Sequence, residues 1–230
     1  YRKPDQYGLV WCGMEDSKGN VLFGTALEGL YRYNPNADQM EMVFNQEAFF
    51  NSRGYLGIRQ MSEAPDGRLW LACGKSSLIR FDPVTGEGKR FTYQDQFTTD
   101  ACGAVEAGQN GRVYAAFHET FLELDSEGRV LHRFTNDNGL KTSRLCFFVE
   151  DKKGRIWFNT EHLLHCYDPV SSKFSFYGKA DGLFSNTMTD ALNITPAGEV
   201  FVGFQNAFNY FYPDRLTLNQ QPPPVVVTGI

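Results

Sequence analysis

Apolar and polar positions along the chain follow a unit that recurs five times. Each unit holds a tight turn ending in glycine, an apolar run, a second apolar run and an Asp-Pro-like stop. The turn glycines are Gly19, Gly67, Gly111, Gly154 and Gly198. Their spacings of 48, 44, 43 and 44 residues are nearly constant, and self-similarity at such a period indicates a repeat architecture.

The residues after each turn glycine align in columns. The third position is always large and apolar, and it holds Leu22, Trp70, Tyr114, Trp157 and Phe201. Its neighbours on either side are mostly apolar too, so the run predicts a strand buried on both faces. We therefore expect Trp70 and Trp157 to be core wedges between neighbouring sheets rather than ligand platforms. Trp11 lies in a first strand near the centre, and the pattern leaves its role open.

Each unit contains further strand-like runs around the one that follows the glycine. The second runs begin at Leu30, Leu78, Phe121, Leu163 and Phe208. The third runs begin at Met40, Lys89, Val130 and Lys173. A strand before each glycine supplies the fourth, and four short antiparallel strands in about 44 residues are typical of a β-propeller blade. The predicted fold class is thus all-β, with four whole blades and three strands of a fifth. A β-sandwich would not lock aromatic columns to a fixed period.

The repeats resemble those of the two-component regulator propeller family, whose pattern is similar to D..G.lWfgT...GLyrydp. Glu15–Pro35 contains EDSKGNVLFGT and then GLYRYNP, and Glu150–Pro169 contains EDKKGRIWFNT and then LLHCYDP. The inter-blade signature of the family, DGL.sN, is similar to DGLFSN at Asp181–Asn186. Cys73 and Phe117 depart from the pattern, because the family tends to have Thr there. The resemblance covers nearly the whole chain.

The end of the chain resembles a second element of such proteins. Tyr212–Ile230 is similar to the linker and first strand of the Y_Y_Y β-sandwich that commonly follows these propellers. The expected division is blades at 1–215 and a Pro-rich linker with the first sandwich strand at 216–230. The expected repeats lie near 8–50, 57–95, 102–135, 144–178 and 187–213. Because family propellers usually close with seven blades, we expect these five to belong to a seven-bladed propeller, with the missing blades upstream.

The resemblance also implies a function. Family propellers are the extracytoplasmic sensor domains of hybrid two-component histidine kinases, found especially in gut Bacteroidetes. The resemblance therefore implies a periplasmic ligand-sensing module of an inner-membrane sensor. Such a module would respond to oligosaccharides from polysaccharide breakdown, and its signal would control transcription. Neighbouring propeller and β-sandwich domains and a homodimeric arrangement are the implied partners, and neither catalysis by this part of the chain nor a cofactor is expected. The alternatives are a propeller enzyme similar to streptogramin lyase and a protein-interaction scaffold.

Charge and composition limit the kinds of partner and metal site that we expect. The net charge is -5, and Lys and Arg form no cluster that would attract phosphate backbones, so nucleic acid is not an expected partner. The five cysteines form no C-x-x-C pair, which argues against zinc. His162 and His165 stand three apart in a strand-like segment, where they would face opposite sides, so no metal site is predicted.

Candidate ligand-binding residues lie in loops that propellers gather at one end of their channel. Those following the aligned strand are Glu28, Lys75, Ser76, His118, Glu119, Glu161, His162, Gln205 and Asn206. Those in the inter-blade loops are Arg144 and Asn186. Their polar groups could bind sugar hydroxyls, although loops are also polar simply because they are wet. In the enzymatic alternative, His118, Glu119, Glu161 and His162 would serve as general acid and base.

Overall fold

The structure is a computed structural model that describes residues 9–45, 48–49, 57–74, 77–93, 102–117, 119–141, 144–160 and 162–216. Within these ranges the chain forms nineteen β-strands, joined by turns and short 3₁₀ segments. Residues 217–230 fall outside the described part. The linker and sandwich strand expected at 216–230 therefore stay a prediction.

The strands form five antiparallel sheets in which sequence order equals spatial order. The first sheet contains β1 (Val10–Glu15), β2 (Val21–Thr25), β3 (Gly29–Asn34) and β4 (Gln39–Asn45). The second contains β5 (Ile58–Glu63), β6 (Leu69–Cys73), β7 (Ser77–Phe81) and β8 (Gly88–Thr92). The third contains β9 (Cys102–Ala107), β10 (Val113–Phe117), β11 (Thr120–Leu124) and β12 (Val130–Phe134). The fourth contains β13 (Cys146–Glu150), β14 (Ile156–Asn159), β15 (Leu164–Asp168) and β16 (Lys173–Tyr177). The fifth contains β17 (Met188–Ile194), β18 (Val200–Phe204) and β19 (Phe208–Phe211).

These sheets are propeller blades. The first strand of each blade packs on the first strand of the next, in the series β1, β5, β9, β13 and β17. The first strands are therefore the inner strands, and they line the centre of the molecule. The prediction of an all-β propeller with four whole blades and three strands of a fifth is confirmed, whereas a seven-bladed ring remains an expectation.

The turn between the first two strands shows what the motif Asp, present in the first and fourth blades, and the turn glycine do. In the fourth blade, Asp151 Oδ1 accepts hydrogen bonds from the backbone N–H groups of Lys153 and Arg155 at 2.9 and 3.1 Å. Gly154 closes the turn at φ 76°, a left-handed conformation that glycine adopts at no steric cost. Asp151 Oδ2 also accepts from Trp157 Nε1 at 2.8 Å. The same motif thus shapes the turn and orients the wedge residue.

The hydrophobic core is divided among the junctions between blades. Buried apolar side chains form four clusters, one between each pair of consecutive blades. Trp70 belongs to the cluster between the second and third blades and is 1% exposed, and Trp157 belongs to the cluster between the fourth and fifth and is fully buried. Their predicted role as wedges is confirmed. The Trp157 ring stacks on Tyr177 with centroids 5.5 Å apart and meets the edge of Phe211 at 5.4 Å.

The fifth blade presents an aromatic face to solvent. Phe201 occupies the wedge column but is only partly buried, and it stacks on Tyr210 with ring centroids 5.7 Å apart. Phe208, on the same face, is 63% exposed and Tyr210 is 62% exposed. In the earlier blades the next sheet covers the wedge residue, as Trp157 shows. Among the described residues, no strand pairing joins the fifth blade to the first.

Candidate functional site

The candidate loops lie at one end of the propeller because of the strand register. Cys73, at the end of β6, pairs with Ile58, at the start of β5. The loop after β6 and the inter-blade connection before β5 therefore meet at the same end of the blade. The other blades follow the same register, as Thr25 pairs with Val10 and Asn159 pairs with Cys146. The described candidate residues lie at this end, which we call the loop end.

Glu28 is engaged within its own loop. Its carboxylate accepts a hydrogen bond from the Tyr31 hydroxyl, and its backbone N–H donates to Thr25 Oγ1 at 3.1 Å. The buried Thr25 hydroxyl donates in turn to the carbonyl of Gly29 at 3.0 Å. Glu28 therefore helps to hold the β2–β3 loop, which limits the freedom of its carboxylate to contact a ligand.

Two predicted residues from different loops come together. His162, in the loop between β14 and β15, places Nδ1 3.2 Å from the backbone carbonyl of Asn186 in the connection to the fifth blade. The Asn186 side-chain oxygen accepts from the backbone N–H of Lys179 at 2.9 Å. Both His162 and Asn186 are exposed. Their free side-chain edges lie at the loop end, where a solute can reach them.

The remaining candidates are spread over the same end. Glu119, Gln205 and Asn206 are exposed at the tips of the loops that precede β11 and β19. Arg144, also exposed, forms an ion pair with Asp190 of β17 at 3.3 Å. Lys75, Ser76, His118 and Glu161 lie outside the described residues. The pairing of His118 with Glu119 and of Glu161 with His162 therefore stays a prediction.

Irregular positions in the inner strands form a feature that the loop-based prediction missed. The β1–β2 register shifts at Trp11 and the β5–β6 register shifts at Arg59, so each is an extra residue in its strand. Similar shifts occur at Gly103 and Phe147 in the third and fourth blades. Such β-bulges re-aim side chains and are frequent next to binding sites. All four lie one residue after the start of an inner strand, at the loop end.

The bulge residues of the first two blades contact one another. The Arg59 guanidinium lies over the Trp11 ring, 5.2 Å from its centroid. Both side chains are partly buried. A signal for this pair existed in the sequence, because Trp11 and Arg59 each stand eight residues before a turn glycine, Gly19 and Gly67. The aligned columns begin after the glycine and do not include this position, so they left the role of Trp11 open.

Ionisable groups in the interior are mostly neutral. Burial raises the pKa of the Cys12 and Cys166 thiols to about 12, so neither is a thiolate nucleophile near neutral pH. Burial, with the neighbouring Glu150 carboxylate, raises the pKa of Glu106 on β9 to about 8. Burial also lowers the pKa of His165 to about 4. Near neutral pH, the thiols of Cys12 and Cys166 and the imidazole of His165 are therefore neutral.

Two further properties of the described residues concern metal binding and membrane insertion. Among the described residues, no group of three or more His, Cys, Asp or Glu side chains could hold a metal ion. Within the same part of the chain, no helix has the length and apolar character needed to cross a membrane.

Comparison with known proteins identifies the fold through structure rather than sequence. No protein-family model matches the chain, and no curated protein matches its sequence. The extracellular domain of a hybrid two-component system from B. thetaiotaomicron has a TM-score of 0.72 and 16% identity, over 91% of this chain and 30% of that one. A second such domain from the same organism has a TM-score of 0.63 and 19% identity, over 96% of this chain and 36% of that one. Streptogramin B lyase has a TM-score of 0.67 and 13% identity, over 91% of this chain and 66% of its own.

These similarities establish a propeller fold. This chain spans about a third of the length of the two-component domains that it matches. Identities below 20% leave the functions of those proteins as starting points for a proposal.

Proposed function

We propose that these blades are a ligand-sensing module from the extracytoplasmic part of a hybrid two-component sensor histidine kinase. The ligand is an oligosaccharide released by polysaccharide breakdown, and the module acts in the periplasm. Its kinase belongs to the parent chain rather than to the blades, and its output is transcriptional.

One observation carries the proposal. The five blades align over 91% of the chain with the extracellular domain of a hybrid two-component system, and the repeats independently resemble those of two-component regulator propellers. Streptogramin B lyase shares the fold with a similar TM-score, so the fold alone does not discriminate between the two. The repeat motifs favour the sensor, because Glu150–Pro169 and Asp181–Asn186 are similar to the sensor signatures.

The loop end suits a polar ligand that is rich in hydroxyl groups. Exposed His162, Asn186, Gln205 and Asn206 offer donors and acceptors from two consecutive blades. Sugar hydroxyls match such groups. Binding at this end would draw residues from several blades onto one ligand.

Signalling requires that the ligand distinguish two arrangements of the sensor. In the proposed mechanism, the ligand binds one arrangement of a homodimer more tightly, and the neighbouring propeller and β-sandwich domains transmit the shift towards the membrane. A ligand with equal affinity for both arrangements would shift nothing, however tightly it binds.

Calorimetric titration of the intact protein with a panel of plant and host oligosaccharides tests the proposal. We expect heat from one member or one chemical class, and sedimentation velocity with and without that ligand should show a change in the dimer population. Absence of binding by every member would overturn oligosaccharide sensing. Replacement of His162 and Asn186 by Ala should weaken binding, whereas replacement of Val170, which is 92% exposed in the β15–β16 turn at the opposite end, serves as the control.

The enzymatic alternative makes a different prediction. If the blades act like streptogramin lyase, the intact protein should convert a substrate, and joint replacement of His118 and His162 by Ala should abolish turnover. Chromatography of the titrated oligosaccharides, and of streptogramin B incubated with the protein, would reveal products. Turnover that depends on the two histidines would replace the sensor with an enzyme, and binding without turnover supports the sensor.

A further inference from the structure

We infer that Arg59, held on Trp11, forms a subsite for an anionic group at the loop end of the channel, which selects acidic oligosaccharides bearing a carboxylate or a sulfate. The inference rests on the proposed function, because it names the class of oligosaccharide. Oligosaccharide binding without selection for charge would refute it and leave the proposed function standing.

The position of Arg59 places it near the mouth of the channel. It is the second residue of β5, an inner strand, and directly follows the inter-blade connection. Its neighbour Ile58 pairs with Cys73 at the end of β6, and Gln60 pairs with Ala72, so Arg59 is the extra residue between two paired positions. The bulge turns its side chain away from the regular packing between blades and towards Trp11 of the first blade.

The Arg59 guanidinium lacks the carboxylate partner that several arginines elsewhere in the described part have. Arginines that face a carboxylate within ion-pair distance include Arg32, Arg68, Arg80, Arg112, Arg129 and Arg155. Arg59 has no such carboxylate among the described residues, and its Nε is buried without a hydrogen-bond partner. A guanidinium has five donors and no acceptor. An unpaired one in a partly buried setting is therefore a site that a ligand oxygen can complete.

The ring beneath Arg59 fixes its orientation. The indole of Trp11 provides a cation–π contact at 5.2 Å, and this type of contact leaves the edge of the guanidinium free for hydrogen bonds. The Trp11 ring also packs against the backbone at Gly57, because an added Cβ there would clash with the ring and with the backbone of Ala26. Gly57 therefore lets the ring lie close against the backbone. The guanidinium is presented by a packed ring rather than by a mobile side chain.

Among the described residues, no ion pair compensates the positive charge of Arg59. The Cys102 thiol on β9 interacts electrostatically with it. Burial raises the pKa of this thiol, and the lowering by Arg59 is smaller, so the thiol is neutral at neutral pH. The amide of Gln60 is occupied by the backbone of Phe148. In the part of the chain that the structure describes, no carboxylate within ion-pair distance of Arg59 would therefore compete with an incoming anion.

The chemistry of the ligand follows from that of the guanidinium. Its planar fork matches the two oxygens of a carboxylate, or two of a sulfate ester, through parallel charge-assisted hydrogen bonds. Neutral sugars offer only hydroxyl groups, whose hydrogen bonds to a guanidinium are weaker than those of an oxyanion. Uronate oligomers carry a carboxylate and sulfated oligosaccharides carry a sulfate, and either oxyanion meets this requirement. Comparing the affinities of the two classes distinguishes between them.

Calorimetric titration of the intact protein with three matched ligands tests the inference: a short galacturonate oligomer, its fully methyl-esterified neutral form, and a sulfated oligosaccharide of similar length. We expect one of the two acidic ligands to bind at least about tenfold more tightly than the neutral ester, since the charge-assisted pair is lost in the ester. The acidic ligand that binds identifies the oxyanion. Its affinity should fall with added salt.

Variants assign the effect to the subsite. Arg59→Gln should abolish the preference for the acidic ligand, and Arg59→Lys should retain part of it as a point charge. Arg68→Gln, in the turn at the opposite end of the second blade, should leave it unchanged. Thermal unfolding of each variant shows whether it is folded, and the Lys variant keeps the test informative if the Gln variant is not.

The outcomes separate the two proposals. Equal affinity for neutral and acidic ligands, or a preference that survives in Arg59→Gln, would overturn the anionic subsite while oligosaccharide sensing stands. Tight binding of the neutral ligand alone would do the same. Absence of binding by all three ligands, and by the wider panel, would overturn both.

Discussion

Gln60 on β5 binds the backbone of Phe148 on β13, two blades away and 88 residues along the chain. Its Nε2 donates to the Phe148 carbonyl at 2.6 Å, and its Oε1 accepts from the Phe148 N–H at 3.0 Å. One buried amide thus satisfies both polar groups of a residue on an inner strand, whose free edge would otherwise face the centre. In effect the side chain takes the place of a short length of pairing strand.

Replacement of Gln60 by Leu should therefore destabilise the protein. It leaves two backbone groups of Phe148 buried and unpaired, which we expect to cost about 2 to 5 kcal/mol of the free energy of unfolding. Urea denaturation followed by tryptophan fluorescence measures this. Gln39→Leu, at an exposed position of β4, is the matched control and should change stability by less than about 0.5 kcal/mol. Similar effects of the two variants would show that the amide contributes little.

The wedge column offers a paired test of the core. Trp157→Ala removes a fully buried indole and its hydrogen bond to Asp151, and we expect a loss of about 3 to 5 kcal/mol. Phe201→Ala, at the equivalent position of the fifth blade, removes a ring that is only partly buried and should cost about 1 to 2 kcal/mol. Thermal and urea unfolding would rank the two. Equal losses would mean that the Phe201 face is covered in solution.

Glu106 should make stability depend on pH above the acidic range. Burial, and then Glu150, raise the pKa of its carboxyl to about 8 in the folded protein, from an ordinary value of 4.5. The folded state holds the proton more tightly, so this group's contribution is fully present below pH 4.5 and is lost as the pH rises through 8. Urea midpoints measured from pH 6.5 to 9, above the range in which His165 takes up its proton, should decline.

The variant Glu106→Gln should flatten that decline, because its amide has no charge to bury. Glu87→Gln, an exposed position in the second blade, controls for loss of a negative charge. A wild-type profile that is level between pH 6.5 and 8, or equal slopes in the wild type and Glu106→Gln, would contradict the prediction.

His165 should act in the opposite direction. It is fully buried against Phe158, with ring centroids 4.8 Å apart, and its Nε2 donates to the Lys141 carbonyl at 2.7 Å. Burial lowers the pKa to about 4 from 6.5. The unfolded chain then takes up the proton first, so stability falls as the pH drops from 6.5 to 4, by about 3 kcal/mol at most.

Unfolding of His165→Gln over the same acidic range checks this prediction. The variant should be less stable at pH 7, where it loses the packed ring, but should have a smaller slope below pH 6.5. His162→Gln, at an exposed loop position, should keep the slope of the wild type. A slope that persists in His165→Gln would assign the effect to other groups.

Local patterns in the sequence predicted much of the blade architecture. The glycine spacing and the column that contains Trp157 repeat because each blade needs the same turn and the same wedge, so the period reports the fold directly. Strand register fixes at which end of a blade the loop after β6 or β14 begins, but whether these loops bind a ligand stays a prediction.

The contacts between blades were beyond such reasoning. Whether Gln60 reaches Phe148 depends on how closely the inner strands approach one another, which no local pattern specifies. Likewise, the meeting of Arg59 with Trp11 depends on bulges in two strands of different blades. Glu28 illustrates the reverse case: it carries a polar group at the expected place, but that group binds its own loop through Tyr31.

The placement of every hydrophobic cluster at a junction has a consequence for how such a chain can change. A single blade has no interior of its own, and the smallest unit that encloses apolar side chains is two adjacent blades. Gain or loss of a whole repeat would create or remove one complete junction, whereas a change of half a repeat would leave Trp70 or Trp157 facing water. Chains of this design should therefore lengthen and shorten in steps of one turn-to-turn unit.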